Sequence, residues 1–254
     1  MKTILLKNTI GEVVSLRYAN LSEITPQLTE LGITVGIDVS IGNQVSIGYG
    51  ANIGCGANIG CGANIGNRAN IGYEASIGYE ANIGDGANIG YEANIGDRAN
   101  IGYEANIGTR AKIGYEANIG YEASIGYEAN IGDGANIGYE ANIGTRAKIG
   151  DGANIGYEAN IGDRANIGYE ANIGDRAIIW ADVQLPRSLY ITGSRHALTY
   201  TGNATVSIGC CNLTLQEWEN QGGAVAEAHG YTPDQIIEYR KYLRIARIFA
   251  GNDK

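Results

Sequence analysis

The sequence predicts a mainly β fold, a solenoid of short extended segments, and three observations predict it. From Val35 to Gln184 the chain runs as twenty-five consecutive six-residue units without an insertion. Val or Ile opens every unit (Val35, Ile41, Ile47 and on to Ile179), and Ala or Val fills every fifth place. Side chains alternate along a strand with period two, so these apolar residues share one face and the residue between them, usually Asn, takes the other. Gly follows the opening residue in every unit but one, where Trp180 stands. Gly recurs in fourth place at Gly50, Gly56, Gly62, Gly86, Gly134 and Gly152, as a bend with unusual dihedrals requires. A helix is a poor host: a six-residue beat does not keep Ile on one face at ~3.6 residues per turn, and a Gly in each unit costs about 1 kcal/mol.

Composition agrees. The 254 residues include 39 Gly but only three Pro, one Phe and one Met, so an aromatic and leucine core is excluded through most of the length. The strict aliphatic beat separates the chain from disordered glycine-rich sequences. One unit cannot stand alone. Burying an Ile yields roughly 1.5–3 kcal/mol, while ordering six residues costs roughly 6–12 kcal/mol of backbone entropy. Stability must therefore come from stacking units on one another.

The unit, an aliphatic residue, a small one, two variable places, a small one, then any, resembles the hexapeptide-repeat signature of the acyltransferase-like superfamily. The resemblance covers Val35 to Gln184, about three-fifths of the chain. It implies a left-handed parallel β-helix with three units per triangular coil, commonly assembled as a homotrimer. About eight coils at about 4.8 Å each make a rod of roughly 40 Å. Residues 18 apart then stack, and the fourth places form three columns. Glu74, Glu92, Arg110, Glu128, Arg146 and Arg164 share one, and Glu80, Arg98, Glu116, Gly134, Gly152 and Glu170 another. The third holds Glu104, Glu122, Glu140 and Glu158 beside Tyr103, Tyr121, Tyr139 and Tyr157, with no Arg between the acids. That column reads either as a partner-facing or cation-attracting stripe, since tyrosines suit interfaces, or as a solvated corner produced by duplication. Outward Asn in seventeen units predicts ladders of stacked amides.

The open ends of a solenoid need covers. Residues 1–34 read as an N-terminal cap: two short strands around a turn near Asn8 to Gly11, then a short helix with Thr25 as cap, Pro26 in its first turn and Gly32 as its stop. Residues 35–184 are the β-helix. Residues 185–254, beginning where the repeat breaks at Leu185–Pro186, read as a β-hairpin turning near Gly202–Asn203 followed by two helices. One helix starts at the capping box Thr214 to Glu217 and ends near His229–Gly230; the other starts at Thr232 to Gln235. Its apolar set is Ile236, Ile237, Tyr239, Leu243, Ile245 and Ile248, and Arg240, Lys241, Arg244 and Arg247 make the remainder basic. The succession IGC, TLQEW and a Tyr-rich terminal helix resembles the tails of uncharacterised bacterial and phage hexapeptide-repeat proteins.

The net charge of −9 is concentrated in the repeat, which repels phosphates and argues against nucleic acid or an anionic membrane as partner. The N-terminal apolar run is too short for a signal peptide or spanning helix, and four cysteines, two of them vicinal (Cys210, Cys211), form no spaced disulfide framework. A cytoplasmic setting is expected, or a virion if the chain is phage-encoded. The enzymes of the resembled superfamily use a histidine as general base, and this chain has none between Val35 and Gln184. Nor does it have the loop that many of them thrust from a coil. The expectation is a non-enzymatic structural or binding scaffold, without cofactor or metal, whose partners are copies of itself and another protein met through the C-terminal module. The alternative is an acyl- or acetyl-CoA-dependent transferase with an intersubunit site near that module and His196 or His229 as base. His196 would also fall across the hairpin from Gly209 and Cys210, a pairing of only two metal-ligand types without CxxC spacing.

Overall fold

A computed structural model describes residues 1–8 and 10–251. Strands β1 (Lys2–Lys7) and β2 (Val13–Tyr18), a 3-10 turn and α1 (Thr25–Glu30) precede the repeat. There follow 26 strands of two or three residues, β3 (Thr34–Val35) to β28 (Gln184–Leu185). The chain ends in β29 (Tyr190–Thr192), β30 (Ala197–Gly202), β31 (Thr205–Ile208), β32 (Cys211–Thr214), α2 (Leu215–Ala228) and α3 (Pro233–Gly251).

Every third rung is hydrogen-bonded to the next in parallel, so the rungs sort into three sheets, one on each wall of a triangular prism. The register is 18 residues: Asn100 faces Asn118 and Ile101 faces Ile119. Opening Ile and fifth-place Ala line the interior and are buried throughout, while the Asn between them faces solvent. Backbone bonds tie each unit to its neighbours above and below. Asn100 N donates to Ala117 O (2.9 Å), Gly102 N to Ile119 O (2.8 Å) and Glu122 N to Tyr103 O (2.9 Å). Here lies the cooperative contribution that a single unit lacks. The amide ladders form as expected: Asn64 donates to Asn82 (2.8 Å), and the chain of bonds continues through Asn100, Asn118, Asn136 and Asn154 to Asn172. The pairing also runs one residue past the sequence repeat, because Leu185 stacks on Ile167.

The two glycine places have different causes. A Cβ on second-place Gly102 would sit 2.7 Å from the carbonyl carbon of Gly120, one coil up, and its equivalents meet similar obstructions. Trp180 escapes because no further coil lies above it, and its side chain is exposed. At the fourth place the cause is conformation. All twenty-five fourth-place residues have φ between 49° and 71°, in the left-handed region, although nineteen of them are not Gly. Third-place Asp, and Asn67, serve another purpose: each caps the corner N–H of the coil beneath, as Asp97 does for Tyr79 N (2.7 Å) and Asp133 for Tyr115 N (2.8 Å). That satisfies a donor no sheet reaches.

Both ends are covered. Strand β1 pairs in parallel with β5 (Val45–Ile47), placing Ile4 and Leu6 under the first coil, and β2 folds back antiparallel outside it. Thr25 is not the N-cap expected of α1. The preceding 3-10 turn, Leu21–Ile24, runs into the helix, so Thr25 is its first residue and its hydroxyl donates to Leu21 O. Gly32 does stop it, at φ 64°. At the other end the hairpin is part of a four-stranded antiparallel sheet, β29-β30-β31-β32. Strand β30 lies across the prism and touches the last rung of each wall. Edge groups find partners there: Gly174 N donates to Thr199 Oγ1 (3.0 Å), Asn172 N to Ser188 Oγ (2.9 Å), and Asn212 Nδ2 to Ile178 O (3.1 Å). Helix α2 starts with the capping box of Thr214 and Glu217 and ends on His229. Helix α3 buries Tyr239 and Ala246, whereas Ile237, Ile245 and Ile248 from the expected apolar set are exposed. The covered stripe runs i, i+4, i+7 through buried Tyr239, half-buried Leu243 and buried Ala246, and those three isoleucines fall on the far side. Among the described residues, no helix is long and apolar enough to cross a membrane.

Candidate functional site

The walls of the prism offer little beyond ladders. In the acidic column the tyrosine rings stack face to face, with centroids 4.9 Å (Tyr103–Tyr121), 5.0 Å (Tyr121–Tyr139) and 5.4 Å (Tyr139–Tyr157) apart. The next residue up is Arg176. It pairs with Glu158 (2.7 Å) and lies over Tyr157, so the acidic run is closed by a cation at that end. Contact with Tyr157 and then Arg176 holds the Glu158 carboxyl below its ordinary range. Glu104, Glu122 and Glu140 form no ion pair with another described residue. Their neighbour Tyr139 is pushed up to about 12, by Glu140 first and burial second. In the other two columns Arg98 bridges Glu80 and Glu116, and Arg110 bridges Glu92 and Glu128. Cys55 and Cys61 stand at corners as free thiols, and Cys61 Sγ accepts from Asn43 N (3.2 Å).

The groups with chemistry converge in the C-terminal module instead. A cavity of about 450 Å³ opens between the sheet and the two helices. Its apolar wall includes Leu215, Trp218 and Leu243, and Arg240, Arg244 and Arg247 stand on the α3 side. Both histidines and both vicinal cysteines line it. Three anchors hold it open. Trp218 Nε1 donates to Val206 O (2.9 Å) and pins α2 to the sheet. The buried Tyr239 hydroxyl accepts from His196 N (2.7 Å) and Arg195 N (3.2 Å), and donates to His196 O, fixing the loop before β30 on α3. Arg195 lies over the Tyr231 ring (5.0 Å) and donates to Gly230 O (2.8 Å), tying the same loop to the connection between the helices.

His196 lies against Gly209, as the hairpin register predicts, since Leu198 pairs with Ile208. Burial first, then the charges of Arg195 and Arg176, lowers its pKa and so favours the neutral ring. A neutral imidazole at a cavity wall can accept a proton. What sequence reasoning missed is that His229, named there only as an alternative base, meets the cysteines. It stands at the C-terminal cap of α2, its Nδ1 donates to Val225 O (2.8 Å), and its Nε2 faces Cys211 Sγ at 3.7 Å. Cys210, Cys211 and His229 each offer a ligand atom, and these atoms lie within 4.8 Å of one another. His196, which the hairpin register brings beside Gly209, lines the same cavity but lies outside this trio. The available signal was that α2 follows β32 directly and must pack back along the sheet to bury Trp218. That returns its far end toward the start of β32.

The coil settles the architecture: three units per turn, an 18-residue register on every wall and a left-handed residue at every corner. The chain has the hexapeptide-repeat β-helix fold. No family model and no curated protein sequence matches it. Among solved structures it is similar to a UDP-N-acetylglucosamine acyltransferase from Campylobacter jejuni, at 20% identity over 86% of this chain and 79% of that one, with a TM-score of 0.42. It is also similar to the Francisella novicida UDP-N-acetylglucosamine acyltransferase, at 18% identity over 82% and 69% of the respective chains, with a TM-score of 0.41.

Proposed function

We propose that the chain is a non-enzymatic scaffold: a rigid β-helical rod that assembles as the homotrimer its repeat signature implies and presents its C-terminal module to a protein partner. The observation that carries this reading is the rod's uniformity. All twenty-five corners take one left-handed turn without an inserted loop, the walls carry amide ladders, and no histidine stands between residues 35 and 184. A prism with neither an inserted loop to shape a cleft nor a histidine base offers little with which to orient and activate a substrate. The acidic tyrosine column of residues 103 to 158 fits this reading as a further contact stripe, with stacked rings preordered for an interface.

A second reading, an acyl- or acetyl-CoA-dependent transferase, is favoured by one fact: both histidines share a cavity with Arg240, Arg244 and Arg247, cations suited to phosphates. Calorimetric titration with acetyl-CoA and a long-chain acyl-CoA separates the two. The scaffold predicts no saturable heat. Saturable binding that disappears when His196 and His229 are both changed to Ala would favour the transferase instead. Sedimentation mass tests the assembly: a monomer would remove the trimer.

A further inference from the structure

The trio at the mouth of α2 goes beyond either reading. We propose that Cys210, Cys211 and His229 form a binding site for a soft divalent metal ion of the zinc class, with a fourth position open to the C-terminal cavity.

Donor chemistry is the first argument. Two thiols and one imidazole are the ligand types that select zinc over the hard oxygen-seeking cations. Of the four free cysteines, Cys55 and Cys61 sit on corners without such company, whereas Cys210 and Cys211 stand beside a histidine. Spacing is the second. Sulfur and nitrogen ligands at about 2.3 Å and 2.05 Å from a tetrahedral centre lie ~3.6 Å apart. Cys211 Sγ and His229 Nε2 are separated by 3.7 Å.

Preorganisation is the third. Because a carbonyl can only accept, the bond to Val225 O places the His229 proton on Nδ1 and leaves the Nε2 lone pair toward the sulfur. This is the outer-sphere arrangement that orients metal-bound histidines. Vicinal residues of a regular strand point to opposite faces, so two adjacent cysteines rarely share a target. Here Cys210 lies in the tight turn after Gly209, which has φ 57°, and Cys211 begins the strand. The turn breaks the alternation and lets both thiols converge. The site's platforms are rigid, since the Trp218 bond to Val206 O and the His229 backbone bonds to Val225 O and Ala226 O fix helix and sheet.

Binding replaces the two thiol protons, released to solvent, with the ion, so two thiolates and a neutral imidazole balance its two positive charges. Three protein ligands leave the fourth position to water. Since all three residues line the cavity, that water faces a chamber able to hold a small molecule.

The test is a Co2+ titration of the full-length chain, reduced with a phosphine and freed of metal. The proposal expects one equivalent bound, with the visible bands of a tetrahedral ion and thiolate-to-cobalt charge transfer in the near ultraviolet, both bleached by Zn2+. Cys211→Ser and His229→Ala should each weaken binding by more than the ~10–100-fold that loss of an outer-sphere partner costs. A Cys55→Ser, Cys61→Ser double variant should bind as the parent does. Far-ultraviolet circular dichroism confirms that each variant keeps its rod. Absence of charge transfer, binding that survives both single variants, or binding lost in the rod double variant would overturn the site. So would a Cys210–Cys211 disulfide that persists in glutathione buffer and excludes the ion. Metal uptake is read without acyl-CoA, so its failure is distinguishable from failure of either functional reading.

Discussion

The rod and the module that closes it meet the same requirement, pairing every buried backbone group, by opposite means. In the rod each rung pairs in register with its own likeness 18 positions away, so one solution repeats on every coil. In the module unlike elements meet once: a tyrosine hydroxyl serves a loop, an indole serves a strand, and a helix cap faces a turn. Repetition spreads stability over like neighbours and brings unlike groups together only along exposed corner columns, as Arg98 meets Glu80 and Glu116. Convergence of base, thiol and cation needs the aperiodic part, and there the cavity lies.

Substitutions at matched places can break this comparison. The largest effect is expected from Ile119→Ala at mid-rod. It opens a void between fully buried layers and should lower unfolding free energy by about 2–5 kcal/mol in denaturant titration, where trimming exposed Trp180 to Ala should change it by less than about 0.5 kcal/mol. Next come two glycines with different reasons to exist. Gly102→Ala forces a methyl group into the Gly120 backbone and should cost about 1–3 kcal/mol, whereas Gly134→Ala meets nothing within 4 Å and should cost only its left-handed conformation, about 1 kcal/mol. Equal costs at the two positions would show that close approach between coils does not govern the second place. The smallest effect concerns pH. Tyr139 is raised to about 12 in the folded chain, so the unfolded chain loses that proton first, near the ordinary phenol value of about 10. Its contribution is complete below pH ~10 and disappears as pH rises toward 12. Alkaline melts of Tyr139→Phe should therefore lose less stability over that window than the parent.

Much of the rod was legible because one local rule, repeated, leaves no room for error in register. An aliphatic residue and a small one two places apart name a face, and twenty-five copies name a solenoid. The amide ladders and a bend of unusual dihedrals at the fourth-place glycines followed from the same spacing, whereas the left-handed conformation of the nineteen non-Gly corners did not. The purpose of third-place Asp did not, since Asp97 caps Tyr79 N only through a coil that the linear pattern does not bring into view. In the module, capping boxes marked where both helices begin, yet the buried face of α3 was misjudged. Ile237, Ile245 and Ile248 are as apolar as their neighbours, and which stripe is covered depends on how the helix is rolled onto the sheet. The meeting of His229 with the cysteines was hidden for the same reason: strand register, which brought His196 near Gly209, can be counted, but the tilt of a returning helix cannot.

The 18-residue register makes the molecule a gauge graduated along its own axis. Removing one complete coil would shorten the distance between its two ends by about 4.8 Å and leave every column in line. Removing a single unit of six would instead swing the terminal cavity a third of a revolution about the axis, carrying its histidines toward a different wall. Reach and bearing are thus set separately, by counting units in multiples of three and by the remainder.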